Sequence, residues 1–153
     1  MQVRNPHIEN FNIRVYGIWI FDDQVLIAKE DRFGISMVKF PGGGLEKGEG
    51  IEDCLIREFQ EELGVKVLGQ KLFYVNPFFQ QSAFRKTDQL ISFYYLVEVE
   101  NATLIAEQLM KTVDFGPEAA VNFEWIKIEE LKTETMTFPI DRVVINELKK
   151  AIR

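Results

Sequence analysis

The sequence predicts an α/β protein in which helices flank a mixed central β-sheet, an α/β/α sandwich. Two observations lead to this prediction. Runs of apolar, β-prone residues precede and follow an amphipathic helical segment, and a second amphipathic segment lies near the end of the sequence. The 153 residues contain no internal repeat, low-complexity tract or linker, so residues 1–153 are expected to form one domain.

The first third of the chain is predicted to be rich in strands. Residues 11–21 form a mostly apolar strand, residues 22–23 a turn, and residues 24–29 the returning strand of a hairpin. Residues 35–40 form a further short β-prone run. The three glycines at 42–44 then predict a loop of unusual backbone freedom.

Residues 50–63 are predicted to form an amphipathic helix, because apolar residues recur at every fourth position. Gly64 is placed to end this helix in a left-handed conformation. The only cysteine, Cys54, lies among the apolar positions, where we expect a small hydrophobic side chain rather than a nucleophile. The apolar positions of the helix are Ile51, Leu55, Phe59 and Leu63.

Beyond the helix, the pattern predicts three more strands and a terminal helix. The strands cover residues 65–74, 90–100 and 123–128, and the terminal helix covers residues 141–152. Pro139 is expected to help start that helix. Between these elements, residues 76–89 and 113–120 are predicted to be loops, and residues 101–110 remain ambiguous between helix and strand. The inward positions of the terminal helix are Val144, Ile145, Leu148 and Ile152.

The charge balance argues against a nucleic-acid polymer as a partner. The formal net charge is −6, and the 18 Lys and Arg residues are scattered rather than gathered into a basic run. No stretch reaches the roughly 18 apolar residues of a membrane-spanning helix, and the first residues do not look like a targeting signal. We therefore expect a cytoplasmic protein with no membrane partner, in which metal ions mediate any binding of phosphates.

Three glutamates crowd one edge of the first helix: Glu58, Glu61 and Glu62. With 3.6 residues per turn they fall within an arc of roughly 100° that borders the apolar stripe. Like charges partly withdrawn from water raise one another's pKa and destabilise a helix unless a cation intervenes. Arg57 can pair with Glu61 but cannot neutralise three acids, and carboxylate oxygens suit Mg²⁺ or Mn²⁺. Taken alone the three acids would indicate a solvated face, so the metal interpretation depends on their surroundings.

Those surroundings match a known pattern. Gly43 is followed after five residues by Glu49 and, after seven more, by the segment at 57–65 that reads REFQEELGV. This spacing closely resembles the Nudix box, with every invariant position filled. Phe59 is a departure, because a smaller aliphatic residue is usual there, and it bears on core packing rather than on the chemistry.

The resemblance implies a Nudix-like fold and a Nudix hydrolase. Such an enzyme uses metal ions, here Mg²⁺ or Mn²⁺, to direct water onto a phosphorus atom of a nucleoside diphosphate linked to another moiety. Carried over by position, Glu58, Glu61 and Glu62 would be metal ligands, and the carbonyl of Gly42 or Gly43 could add another. Arg57 and Glu49 would pair to hold the loop against the helix.

The motif leaves the general base open. Glu58 and Glu61 are candidates within the box, and Glu118, in the loop predicted at 113–120, is a candidate outside it. For Glu118, an ordinary exposed loop glutamate is an equal alternative.

Residues that contact substrate must be sought outside the box. Arg14 interrupts an apolar strand and either faces solvent or lines a pocket, and Lys39 adjoins the box. Phe79, in an aromatic loop, could stack on a base or cover the core. Asp141 could hydrogen-bond a base edge or cap the terminal helix.

Two other functions are weighed against the hydrolase. A non-catalytic Nudix-like module could bind a nucleotide metabolite, although the complete set of box glutamates favours catalysis. A structural calcium site would need an alternating Asp/Asn loop that the sequence lacks. The expected partner is a small nucleotide-type diphosphate and the expected state a monomer or homodimer. The identity of the substrate, the number of metal ions and the pathway stay open.

Overall fold

The computed structural model describes residues 4–32, 34–111 and 121–152. Within these residues eight strands and three α-helices are present. In chain order they are β1 (Asn10–Ile18), β2 (Ile20–Phe21), β3 (Gln24–Arg32), β4 (Ile35–Lys39), β5 (Gly42–Gly44), α1 (Ile51–Leu63), β6 (Val67–Val75), β7 (Asp88–Val99), α2 (Ala102–Lys111), β8 (Val121–Lys127) and α3 (Pro139–Ile152).

The first sheet is mixed, with the order β5-β1-β7-β6. β1 and β7 run parallel, in a register that pairs Asn10 with Asp88 and Ile18 with Leu96. β5 pairs antiparallel with β1, and β6 pairs antiparallel with β7. The predicted mixed sheet is therefore confirmed, and β1 lies at its centre.

A second, antiparallel sheet is built around β3, which pairs with β8 and also with β2 and β4. The predicted hairpin is the β2–β3 pair, and its turn residues Asp22 and Asp23 have φ values of 51° and 60°. The prediction of one strand over residues 11–21 is wrong. The chain changes sheets at Trp19, which is buried against Trp125. An apolar run carries no signal for such a change.

The sequence predicted a loop of free backbone for the glycines at 42–44. The prediction is wrong, because they form the short strand β5. Gly42 lies so close to β1 that a Cβ atom would come within 3.0 Å of the Val15 carbonyl oxygen, and its φ is 148°. Glycine is therefore needed for close pairing of two backbones rather than for flexibility.

The predicted first helix is confirmed as α1. Gly50 precedes it and its amide donates to Asp53 Oδ2 at 3.0 Å, while Gly64 ends it with a left-handed φ of 66°. Cys54, Leu55 and Phe59 are buried. The ambiguous segment at 101–110 forms α2, and the loop predicted at 113–120 lies outside the described residues.

The terminal helix α3 begins at Pro139, as its expected role at a helix start suggests. Val144, Ile145 and Leu148 are buried as predicted, but Ile152 is 51% exposed. The inward prediction for Ile152, in the last turn of α3, is therefore wrong, because the core does not cover this helix end. Across the described residues, no helix is both long and apolar enough to cross a membrane.

The core has two layers on opposite faces of β1, because successive side chains of a strand point to opposite sides. Val15 packs in the layer that contains residues of α1 and α2, whereas Tyr16 packs in the layer that contains residues of α3. Helices therefore cover both sides, which confirms the predicted sandwich.

The unusual Phe59 of the box has a matching space in the sheet. Its ring lies against Gly17 of β1, where a Cβ atom would come within 3.0 Å of ring carbons. Phe59 is fully buried. A large residue on α1 is thus accommodated by the absence of a side chain on β1.

We predict that Gly17→Ala destabilises the protein by about 1–3 kcal/mol, because the new methyl group overpacks the site. The double variant Gly17→Ala/Phe59→Leu should cost less than the sum of the two single variants, since the smaller side chain restores room. Urea unfolding measures both effects. Gly69→Ala is the control, because the nearest atom is the flexible end of Glu98, at 3.3 Å. Simple additivity of the two changes would contradict the match.

Candidate active site

Arg57 and Glu49 form a two-pronged ion pair between α1 and the segment that precedes it. Arg57 Nε donates to Glu49 Oε2 at 3.0 Å and Nη2 donates to Glu49 Oε1 at 2.7 Å. The hydrogen bonds from Arg57 lower the pKa of Glu49 to about 2. The same bonds raise the pKa of Arg57, so the pair stays charged.

Arg57 also gathers the neighbouring groups of the box. Nη2 donates to the Gly44 carbonyl at 3.1 Å, and Nη1 donates to Glu58 Oε1 at 2.9 Å and to Glu61 Oε2 at 3.2 Å. The pairing of Arg57 with Glu61 expected from helical spacing is present. One guanidinium therefore links β5, the segment before α1 and two of the three candidate metal ligands.

The Glu58 carboxylate lies directly over Gly43. A Cβ atom on Gly43 would come within 3.0 Å of both of its oxygens. The Glu58 side chain is only 13% exposed. A glycine at position 43 thus provides the space that the Glu58 carboxylate occupies.

Glu62 is the carboxylate most affected by burial. Desolvation raises its pKa to about 7, against the attraction of Lys39, and the nearby Glu58 charge acts in the same direction as burial. The Gly42 amide donates to Glu62 Oε2 at 3.2 Å. The expectation that charge crowding and burial would raise a carboxyl pKa here is confirmed for Glu62. Glu61 differs, because its side chain is 59% exposed.

The donor set suits a hard divalent cation. Glu58, Glu61 and Glu62 supply carboxylate oxygens along one side of α1, and such oxygens are the ligands that Mg²⁺ and Mn²⁺ prefer. In the described part of the chain, no three acidic, His or Cys side chains already converge on one point. Because Arg57 holds Glu58 and Glu61, their carboxylates would have to turn from it to share an ion.

Cys54 lies beside these groups but is not activated. Burial raises the pKa of its thiol to about 12. Its Sγ lies 3.5 Å from the Gly44 carbonyl oxygen. A neutral, buried thiol is the small hydrophobic residue that the sequence predicted.

A cavity of about 540 Å³ adjoins β5 on the face of the mixed sheet that carries Tyr16. It brings together Arg14, Lys39 and Asp141, three of the four side chains predicted to contact substrate. Phe79 lines a second cavity of about 450 Å³, which shares Asn10 and Phe11 with the first. Glu118 lies outside the described residues.

Arg14 faces the cavity rather than bulk solvent. Its Nε donates to the Tyr16 hydroxyl at 3.2 Å, and its guanidinium lies 5.9 Å from the centre of the Tyr16 ring. Its strand partner is Gly44, and a Cβ atom there would lie 3.0 Å from Arg14 Nη1. No carboxylate within the described ranges forms an ion pair with Arg14. Glu58 and Asp141 act on its charge only from beyond ion-pair distance, and a half-buried guanidinium with no direct ion pair suits an anionic ligand.

Lys39 is not the solvated surface charge that is the usual state of a lysine. It is 6% exposed and its Nζ lies 2.8 Å from Glu30 Oε2. Its charge acts on two acids, lowering the pKa of both Glu62 and Asp141 against their burial. Lys39 thus lies between the box and the cavity.

Asp141 is buried at the wall of the cavity and accepts a short hydrogen bond from the Tyr94 hydroxyl. It is the third residue of α3, so the alternative role as the residue that caps the helix start is wrong. Desolvation raises its pKa to about 7, although Tyr94, Lys39 and Arg14 oppose this shift. Burial also raises the pKa of Tyr94.

Two polar residues of β7 that line the cavity, Ser92 and Tyr94, were not among the predicted substrate contacts. The alternation of residues along this strand does indicate them. The apolar alternation of residues 91–99 assigns Phe93 and Tyr95 to one face, so Ser92 and Tyr94 must lie on the other. Two polar side chains on the second face of a central strand indicate that this face lines a cavity.

Comparison with known proteins agrees with this fold. A family model described as the NUDIX domain matches residues 11–148. The chain therefore belongs to the Nudix family, which confirms the resemblance. Divalent cations are the general cofactors of this family.

Individual relatives are more distant. The chain is 29% identical to mouse nucleoside diphosphate-linked moiety X motif 6 over 154 residues, which cover 98% of this chain and 45% of the relative. It is 42% identical over 53 residues to an NAD-capped RNA hydrolase of Pseudomonas putida, covering 35% of this chain and 18% of the relative. The chain thus spans less than half the length of the curated relatives it matches.

Among solved structures, a MutT Nudix hydrolase from Burkholderia pseudomallei superposes with a TM-score of 0.69. The match covers 91% of this chain and 98% of the other, at 17% identity. This likeness supports the fold.

The buried Asp141 predicts a specific dependence of stability on pH. In the unfolded chain its carboxyl ionises near pH 4, whereas the folded protein keeps the proton until about pH 7. Stability attributable to this group is therefore lost as the pH rises between these values. Asp141→Asn should melt roughly 5 °C above the wild type at pH 8 and show a much smaller difference at pH 5. Equal differences at both pH values, measured by calorimetry, would contradict the assigned cause.

Proposed function

We propose that this protein hydrolyses the diphosphate linkage of a nucleoside diphosphate joined to another moiety, in a reaction that depends on Mg²⁺ or Mn²⁺. The observation that supports the proposal is the arrangement of Glu58, Glu61 and Glu62 beside the glycine strand β5, with Arg57 linking the two. Family membership supports the same general class of reaction.

Glu58, Glu61 and Glu62, with the Gly43 carbonyl, would hold the metal. When bound, Mg²⁺ or Mn²⁺ neutralises phosphate charge and lowers the pKa of the attacking water. Glu58 or Glu61 would accept a proton from that water, and Glu118 remains a candidate from outside the described residues. Arg57 would act as a positioning residue, because it contacts the carboxylates of Glu58 and Glu61, and Glu49 would act through its ion pair with Arg57.

The nucleotide part of the substrate would enter the cavity that adjoins β5. Arg14 has no acidic partner among the described residues and lies beside Gly44, which suits it to a substrate phosphate. Lys39 adds positive charge between the cavity and the box. Asp141 supplies a buried polar group for the base. Phe79 would contact only a substrate long enough to reach the second cavity.

The broad substrate class is compatible with the names of the relatives. One is described as acting on NAD-capped RNA, but the match covers only a third of this chain. A small nucleotide-type diphosphate remains the proposed substrate. A cytoplasmic location and a monomeric or homodimeric state are proposed with it.

A substrate screen tests the proposal. Nucleoside triphosphates, ADP-ribose, NADH, dinucleoside polyphosphates and CoA derivatives are incubated with Mg²⁺ or Mn²⁺, and released phosphate and mononucleotides are quantified. We expect turnover of at least one compound, abolished by EDTA. Tight binding of one compound with no turnover of any would instead favour a non-catalytic nucleotide-binding module.

On the substrate so identified, Glu61→Gln should reduce kcat by roughly 100-fold or more, because it removes a charge from the metal and proton chemistry. Glu52→Gln is the matched control: Glu52 lies on the same helix, is exposed and accepts a hydrogen bond from Gln70 at 2.7 Å. Its kcat should stay near that of the wild type. Wild-type turnover by Glu61→Gln would remove Glu61 from the mechanism.

Metal binding can be measured without any substrate. Adding Mn²⁺ to EDTA-treated, desalted protein should raise Tm by about 5–10 °C at a hundredfold excess over Kd, since the folded state alone holds the ion. The rise should shrink markedly in Glu58→Gln and persist in Glu52→Gln. An equal rise in both variants would place the ion elsewhere.

A further inference from the structure

The inner wall of the cavity carries a pair of hydrogen-bond acceptors, Asp141 and Tyr94. Asp141 is 2% exposed and Tyr94 is 1% exposed, and both line the cavity. They come from different elements, α3 and β7, and are joined by the hydrogen bond from the Tyr94 hydroxyl to Asp141 Oδ1. A carboxyl group buried so completely costs folding free energy, which suggests a use in recognition.

The direction of this hydrogen bond determines what a ligand meets. The single hydroxyl proton of Tyr94 is committed to Asp141 Oδ1, so the Tyr94 oxygen can only accept further bonds. The second oxygen, Oδ2, is an acceptor whenever the carboxyl is ionised. Desolvation raises the pKa of Asp141 to about 7 against the attraction of Lys39 and Arg14, so the carboxyl is ionised above that pH. The pair therefore presents acceptors to the cavity.

The rest of the cavity suits a flat ring. The rings of Phe84 and Phe138 lie at its wall, 6.1 Å apart and inclined by 66°. The volume of about 540 Å³ is enough for a base with its sugar. Arg14, near β5, provides an anion-binding group between this region and the box.

We propose that Asp141, held by Tyr94, makes this site specific for nucleotides whose base carries an amino group. This inference rests on the proposed function, because it assigns the base of that substrate to the cavity. An amino group of the base donates to the acceptor pair. A carbonyl at the same place puts its own acceptor oxygen against the acceptor oxygens of Asp141 and Tyr94. A buried acceptor facing another acceptor loses its solvation and gains no bond.

Two pairs of nucleotides isolate this effect. CMP and UMP differ in an amino group against a carbonyl, and GMP and IMP differ in the presence of an amino group. Binding is measured by calorimetry at about pH 8.5, above the pKa of Asp141. EDTA is present, so that metal ions make no contribution. We expect the amino-bearing member of each pair to bind about 10-fold more tightly, the effect of one hydrogen bond to a charged group.

Asp141→Asn gives the decisive comparison. Its amide oxygen can still accept from Tyr94, but its amide nitrogen now donates to the cavity. The preference for CMP over UMP should fall to about one or reverse, so that UMP gains affinity. Asp23→Asn is the matched control, since Asp23 is exposed in the β2–β3 turn, outside the cavity, and asparagine also adopts its φ of 60°. Its preferences should equal those of the wild type.

Three results would overturn the inference: no binding of any of the four nucleotides at millimolar concentration, equal binding within both pairs, or an equal loss of affinity for all four in Asp141→Asn. The last result would mean that Asp141 serves only the structure of the cavity. Because these measurements exclude metal and turnover, a protein that hydrolyses nothing can still show the preference. Conversely, an active hydrolase without the preference overturns this inference alone.

Discussion

The site depends on the hydrogen bonds that the Arg57 side chain donates. Its guanidinium contacts both oxygens of Glu49, the Gly44 carbonyl, Glu58 and Glu61. A planar fork with fixed donor directions can satisfy these acceptors together, which an ammonium group cannot. Without it, three carboxylates at the border of a core would repel one another, and the side-chain links from α1 to β5 would be reduced to those of Glu62 with Gly42 and Cys54 with Gly44. The position of Glu58 over Gly43 follows from this one interaction.

From β5 the arrangement continues into the sheet, because β5 pairs with β1 and the side chains of β1 alternate between its two faces. Val15 joins the layer under α1, while Arg14 and Tyr16 line the cavity. One face of β1 thus packs against helix α1, and the other face lines the nucleotide cavity. The match of Gly17 to Phe59 sets how closely α1 can approach that strand.

The sequence was sufficient for features with a local cause. Helix α1 with its Gly64 end, the β2–β3 turn and the Arg57–Glu61 pair follow from spacing within a few residues, whereas the Arg57–Glu49 pair was implied by the resemblance to the Nudix box. It was insufficient where distant segments meet. The strand pairing of the glycines with β1, and the hydrogen bond from Tyr94 to Asp141, join residues that no local period connects. Burial of Lys39 was missed for the same reason, since Glu30 and the box acids become its neighbours only after folding.

The parallel pairing of β1 with β7 has a consequence for the order in which the protein forms. Asn10 pairs with Asp88, 78 positions further along the chain, and every other pair of this ladder has the same separation. Closing so long a loop costs conformational entropy. Proteins whose contacts join residues far apart in the sequence fold more slowly for this reason. A nascent chain therefore carries the complete Nudix box well before β7 leaves the ribosome. During that interval β1 lacks its parallel partner, so only one of the two central strands that line the cavity is present.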